Sequence, residues 1–143
     1  MSGKVILLVE DNDDDADLTM LAFKEASVDT TIVRAQDGVE ALDYLFERGA
    51  FERRRPAGPP AVVLLDLKLP KVGGLEVLRE IRKNPGTRNL PVVVLTSSNE
   101  DSDRKGAYAE FANSYVQKPV DYDAFVRASR DVGLYWTATN VAP

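Results

Sequence analysis

The chain has 143 residues, a net charge of −5, no histidine and no cysteine. That length suits one domain able to bury about two thirds of its unfolded surface, and the acidic balance argues against nucleic acid as a partner. The two missing residue types exclude disulfides, thiolate and ordinary zinc sites, and any Ser-His or Cys-His nucleophile.

Strand-like and helix-like stretches alternate along the chain, the pattern of a parallel α/β sheet. The first strand spans about Lys4 to Val9. Asn12 or Asp13 can cap the helix after it, which runs to about Ala26 with Leu18, Leu21 and Ala22 at helical spacing. Thr30 to Arg34 is a β-branched second strand, and Asp37-Gly38 opens a second helix with Ala41, Leu42, Leu45 and Phe46 on one face. Gly49 can end that helix, and the Pro/Gly-rich stretch up to Pro60 is loop. The basic run Arg53-Arg54-Arg55 lies in this stretch and reads as a solvated loop. The third strand is Val62 to Leu65, followed by a turn from Pro70 to Gly74. Gly73-Gly74 reads as a tight entry into a third helix, which carries Val77, Leu78 and Ile81 and stops at Asn84-Pro85-Gly86. Val92 to Leu95 is the fourth strand, and a polar, weakly patterned helix follows over about Asp101 to Glu110. A fifth strand ends at Pro119, and Asp121 can cap a last helix with Tyr122, Phe125, Ser129, Val132 and Trp136 on one stripe. Residues 1–143 thus read as a single domain with a C-terminal extension over about 136–143.

Strands one, three and four are nearly continuous Val/Ile/Leu, as expected where helices cover both faces. Strands two and five are more polar, as edge strands can be. The order 2-1-3-4-5 puts both polar strands outside, giving a flavodoxin-like, doubly wound five-stranded parallel sheet with helices on both faces. It also sets strands one and three side by side at the topological switch point, where ligands bind beyond the strand C-termini.

At that edge each strand runs into chemistry. Glu10-Asp11 follow the first strand, Asp66 the third, Thr96-Ser97-Ser98 the fourth, and Lys118-Pro119 the fifth. Carboxylates held together repel unless a hard cation lies between them, and oxygen-only ligands suit magnesium. A lysine opposite them points to an anion, most simply a phosphoryl group. Each residue also has a plainer reading: Asp66 as a turn starter, Glu10, Asp11 and Thr96 as helix caps, Lys118 as an exposed strand end. Asn12 through Asp15 already supply capping groups and dipole partners, which leaves Glu10 and Asp11 redundant for that purpose.

Four motifs in order, VILLVEDNDDDADL from Val5, VVLLDLKLPKVGGLEVLREIR from Val62, VVVLTSS from Val92 and YVQKPVDYDAF from Tyr115, resemble the receiver domain of two-component response regulators. The resemblance implies that Asp66 is the phosphoacceptor, attacking the phosphorus of a phosphohistidine on a partner kinase. It also implies Mg2+ held by Asp11, Asp66 and the backbone carbonyl of Lys68, with Glu10 acting through a water. Lys118 and Thr96 would contact phosphoryl oxygens, with the Ser97 amide as a further donor. Thr96 and Tyr115 would form the switch that reshapes the face of helix four, strand five and helix five. Lys118–Pro119 would be a cis peptide bond.

The acidic pair is Glu-Asp, and Lys68 and Ser98 stand at the two positions that flank the path of hydrolytic water in this family. The Lys68 ammonium could reach the phosphoryl group or Glu10. The long stretch from about Glu47 to Pro60 and the tail through Tyr135-Trp136 resemble the regulators that partner phytochromes. The implied partners are a sensor histidine kinase, such as a bacteriophytochrome, a downstream phosphotransfer or effector protein, and a second copy of the chain through the strand-five and helix-five face. A phosphatase of haloacid-dehalogenase type needs a second aspartate two residues after the nucleophile, where this chain has Lys68. A pseudo-receiver scaffold would lack an acidic site or the lysine. The chain therefore reads as a non-enzymatic phosphoacceptor. No apolar run approaches the ~20 residues that span a bilayer, and the N-terminus makes a poor signal peptide, so the expected location is the cytoplasm, with no membrane partner.

Overall fold

The computed structural model describes residues 4–25, 30–51 and 58–142. Five strands form one parallel sheet: β1 (Lys4–Val9), β2 (Thr30–Ala35), β3 (Val62–Leu65), β4 (Val92–Thr96) and β5 (Ser114–Gln117), in the order 2-1-3-4-5. The helices are α1 (Asp13–Glu25), α2 (Gly38–Leu45), α3 (Gly74–Lys83), α4 (Asp101–Ala109) and α5 (Tyr122–Leu134), with a short 3-10 turn at Gly49–Phe51. The expected fold class and strand order are those observed. The arginine run at 53–55 lies outside the described residues.

The central strands are buried along their length, whereas β2 and β5 are mostly half-exposed, as their polar residues require. One apolar core holds Leu7, Val63, Leu65 and Val94 against α2 and α3. The other sets Ile6, Leu8, Leu64 and Val93 against Ala16 and Phe23 of α1. Alternating strand residues feed opposite layers, which is the period-2 geometry of a strand covered on both faces.

Register delivers the site. Val9 sits opposite Leu65, so Glu10 and Asp66 leave the sheet side by side. Thr96 sits opposite Gln117, which places Lys118 just past the threonine. Capping fixes where several helices begin. The Asn12 Oδ1 accepts the Asp15 amide at 2.9 Å, the Asp37 Oδ1 accepts Glu40 at 2.8 Å, and the Asp121 Oδ2 accepts Ala124 at 2.9 Å. Gly74 is more than a tight turn, because a Cβ there would stand 2.4 Å from the Asp66 carbonyl oxygen. Helix α3 can therefore start directly against the end of β3.

The last helix keeps its expected stripe except at its first residue. Tyr122, its first residue, is exposed, and the buried positions are Phe125, Ser129 and Gly133. A Cβ on Gly133 would stand 2.0 Å from Phe23 Cε1, so the missing side chain lets α5 close on α1. A π-helical turn, Tyr135–Thr139, continues α5. Trp136 packs against the α1-side core, as Met20, Ile32 and Val132 do. Trp136 thus covers its own domain, while Tyr135 stays exposed. Among the described residues no helix is long and apolar enough to cross a membrane.

Candidate functional site

Asp66 is buried at the end of β3, and both its oxygens are engaged. Oδ1 accepts the Thr96 hydroxyl at 2.9 Å and the Lys68 amide at 3.1 Å, and Oδ2 accepts Lys118 Nζ at 3.0 Å. Lys118 is buried too and also donates to Glu10 Oε1 at 2.6 Å and Asp15 Oδ2 at 2.9 Å. The lysine reaches inward although the Lys118–Pro119 bond is trans, contrary to the expected cis bond. Its backbone is tied instead by the Lys118 amide donating to the Thr96 carbonyl at 2.7 Å.

Oxygen atoms of Glu10, Asp11 and Asp66 all lie within 4.8 Å of one another, with Asp11 exposed and the other two buried. Hard oxygens crowded this closely on two buried residues suit a hard divalent cation. Burial pushes the Glu10 carboxyl up to about 7; Lys118 opposes that shift and the charge of Asp66 adds to it. Burial alone would lower the Lys118 ammonium, but hydrogen bonds to Glu10 and Asp15 and the charges of Asp66 and Glu10 outweigh it, and its pKa is raised. The two directions are compatible. One ammonium among three carboxylates leaves excess negative charge, so the lysine stays charged while the most desolvated acid holds a proton more readily.

Surrounding contacts brace the cluster. Arg34 of β2 donates to the Glu10 carbonyl at 3.0 and 2.9 Å and pairs with Asp13 at 2.8 Å, clamping the β1–α1 turn. In the β4–α4 loop, Ser98 donates its hydroxyl to Asp103 at 2.5 Å and its amide to Thr96 Oγ1 at 3.4 Å. The Tyr115 hydroxyl donates to the Ser98 carbonyl at 3.2 Å, so the tyrosine and the threonine meet through one loop residue.

The structure thus brings together Glu10, Asp11, Asp66, Thr96 and Lys118, with Tyr115 one residue removed. Lys68 offers its backbone there, but its exposed side chain lines an open cleft with Glu76, Glu100 and Asp103 and does not reach Glu10. Two participants were not foreseen, Asp15 and Arg34. Asp15 was read only as a helix-start acid. The acidic run Asp13-Asp14-Asp15 carries no local signal for which of them turns inward.

A sequence profile for the response regulator receiver domain matches residues 6–130. The chain is 42% identical to the probable methanogenesis regulatory protein FilR2 of Methanothrix harundinacea, over 97% of this chain and 87% of that protein. It is 35% identical to response regulator Rcp1 of Synechocystis, over 98% and 93%. The Mn2+-bound crystal structure of Rcp1 superposes with a TM-score of 0.91, covering 98% of this chain and 99% of that one. The bacteriophytochrome response regulator AtBRR, 46% identical, superposes at 0.78 over 99% and 100%. The chain belongs to the response regulator receiver family and is a receiver-domain response regulator of two-component signalling. Its sequence and structure are similar to those of Rcp1 and the bacteriophytochrome response regulators.

Proposed function

We propose that Asp66 accepts a phosphoryl group from a phosphohistidine of a sensor histidine kinase. An Asp66 carboxylate oxygen forms the new P–O bond, the P–N bond breaks, and the imidazole leaves and takes up a proton. The observation that carries the reading is the pair of donors already aimed at Asp66, the Thr96 hydroxyl on Oδ1 and the Lys118 ammonium on Oδ2. Those donors can turn to phosphoryl oxygens, where charge-assisted hydrogen bonds are strongest in a dry site.

Glu10, Asp11, Asp66 and the Lys68 carbonyl would hold Mg2+, which supplies the charge neutralisation that lets a phosphoanion approach the acids. The Mn2+-bound Rcp1 structure supports a divalent cation in this family. The chain's own residues do the rest: Thr96 and Lys118 orient the phosphoryl group, and burial keeps Asp66 from bulk water. No general acid or base follows Asp66, since Lys68 stands two residues on and faces the solvent cleft. This favours an acceptor over a phosphatase.

On phosphorylation Thr96 would leave Asp66 Oδ1, its link to the Ser98 amide would shift, and Tyr115 would follow the Ser98 carbonyl. That alters the face of α4, β5 and α5, the surface we assign to a two-fold homodimer and to a downstream effector or phosphotransfer partner; Tyr108 of α4, Tyr122 of α5 and Tyr135 just after α5 are exposed. A phytochrome-type kinase is the favoured donor, given the likeness to AtBRR and to the phosphorylated cyanobacterial phytochrome response regulator RcpA, 34% identical. Such a kinase would act on it in the cytoplasm.

Borohydride reduction after treatment with acetyl phosphate and magnesium tests the assignment. It should convert Asp66, and no other acid, to homoserine; conversion elsewhere would move the site.

A further inference from the structure

An ammonium group has three N–H donors. Lys118 spends all three, on Glu10 at 2.6 Å, Asp15 at 2.9 Å and Asp66 at 3.0 Å. It therefore has no donor left for a phosphoryl oxygen unless one of these contacts yields.

The three acceptors are not equivalent. Glu10 and Asp66 belong to the oxygen cluster that fits a cation, and Asp15 lies outside it. The backbone of Asp15 is nonetheless held in place. Its amide is fixed by Asn12 Oδ1 at 2.9 Å, and its carbonyl accepts the hydroxyl of the buried Thr19 at 2.9 Å. Its side chain is 31% exposed, against 4% for Glu10 and 8% for Asp66, so it is the carboxylate that water can most readily solvate. The ordinary explanation for an acid in a first helical turn is the helix dipole, but Asp13 and Asp14 already serve that end, and Asn12 caps the helix.

We propose that Asp15 is a positioning residue that holds Lys118 in the unphosphorylated site and competes with the phosphoryl group for it afterwards. With Asp15 present, the donor that Asp66 gives up must reach the phosphoryl group while the ammonium is still held toward Asp15, and the group sits near an added negative charge. Without the carboxylate, the lysine is free to donate, and the phosphorylated geometry is favoured. Asp15 thereby sets how far the resting site resists its own activation, and it transmits that constraint to the start of α1.

The inference rests on the phosphoacceptor reading. Its test is the affinity for beryllofluoride, a phosphoryl mimic, measured by 19F NMR at saturating magnesium. Asp15→Asn should bind on the order of five- to tenfold more tightly than wild type, the net scale of one ordinary hydrogen bond. Asp14→Asn removes the same charge one residue away and should stay within about twofold, as exposed charges do. Asp15→Glu, which keeps the charge, should resemble wild type. Metal-free Asp15→Asn should melt no higher than wild type. A residue that mattered only for folding would lower stability without tightening the mimic. Should Asp15→Asn not fold, Asp15→Ser carries the same expectation. Equal or weaker binding by the neutral variants overturns the role of Asp15 alone. If wild type fails to bind beryllofluoride with magnesium, the phosphoacceptor reading falls as well.

Discussion

Glu10→Gln is the most informative perturbation of the resting site, because it removes one charge from a buried cluster while keeping the side chain's shape. The folded protein raises the Glu10 carboxyl from 4.5 to about 7, chiefly through burial. A carboxyl with a raised folded-state pKa binds its proton more tightly when folded. Its contribution to stability is thus complete below 4.5 and is lost as pH rises to about 7. At about 1.4 kcal/mol per pKa unit, the change amounts to roughly 3 kcal/mol at its upper bound. For a domain of this size that corresponds to a melting shift on the order of 10 °C. In metal-free buffer, wild type and Glu10→Gln should melt alike near the acid end of the window. The variant should then gain over wild type up to neutrality, and the difference should plateau above it. Paired thermal melts with chelator present read the difference directly and cancel every titration the two proteins share. A constant difference across the window, or one that shrinks as pH rises, would refute the assignment of a carboxyl raised by burial at Glu10.

Magnesium binding should stabilise wild type by mass action, so millimolar magnesium should raise its melting temperature by several degrees. Asp11→Ala should respond much less, and equal responses would remove Asp11 from the cation site. Gly133→Ala should lose about 1–3 kcal/mol in a denaturant melt, because the new methyl overlaps the Phe23 ring; an unchanged midpoint would mean that α1 and α5 separate freely. Replacing the exposed Tyr122 and Tyr135 together with serine should abolish dimerisation measured by light scattering at tens of micromolar, while the melting temperature stays near that of wild type. A dimer that survives both changes lies on another face.

Much of this site could be read from the sequence because its residues follow apolar strands. An apolar run must enter the sheet, all parallel strands end at one edge, and the residue after each run is therefore delivered there. Glu10 and Asp66 were legible for that reason, Lys118 after the more polar β5 only in their company, and Gly74 as a helix start though not as the place where α3 touches the Asp66 carbonyl. Asp15 was not legible, since a run of acids from Asp13 to Asp15 gives no local clue to which one turns inward. That choice is made by the phase of α1 and by the distance to a lysine 103 positions away. The α5 stripe was legible in all but its first residue. Trp136 lies about three helical turns after the buried Phe125, so the regular period itself carries it to the core. Tyr122 sits at the very start of α5, next to its Asp121 cap, and stays exposed.

The most direct measurement is phosphorylation of the intact protein by acetyl phosphate, followed on Phos-tag gels with and without magnesium. Wild type should acquire one hydroxylamine-sensitive phosphoryl group only when magnesium is present. Asp66→Asn, which keeps the shape and removes the nucleophile, should acquire none while retaining its fold by circular dichroism. A phosphorylated band of undiminished intensity in Asp66→Asn would contradict the account at its centre.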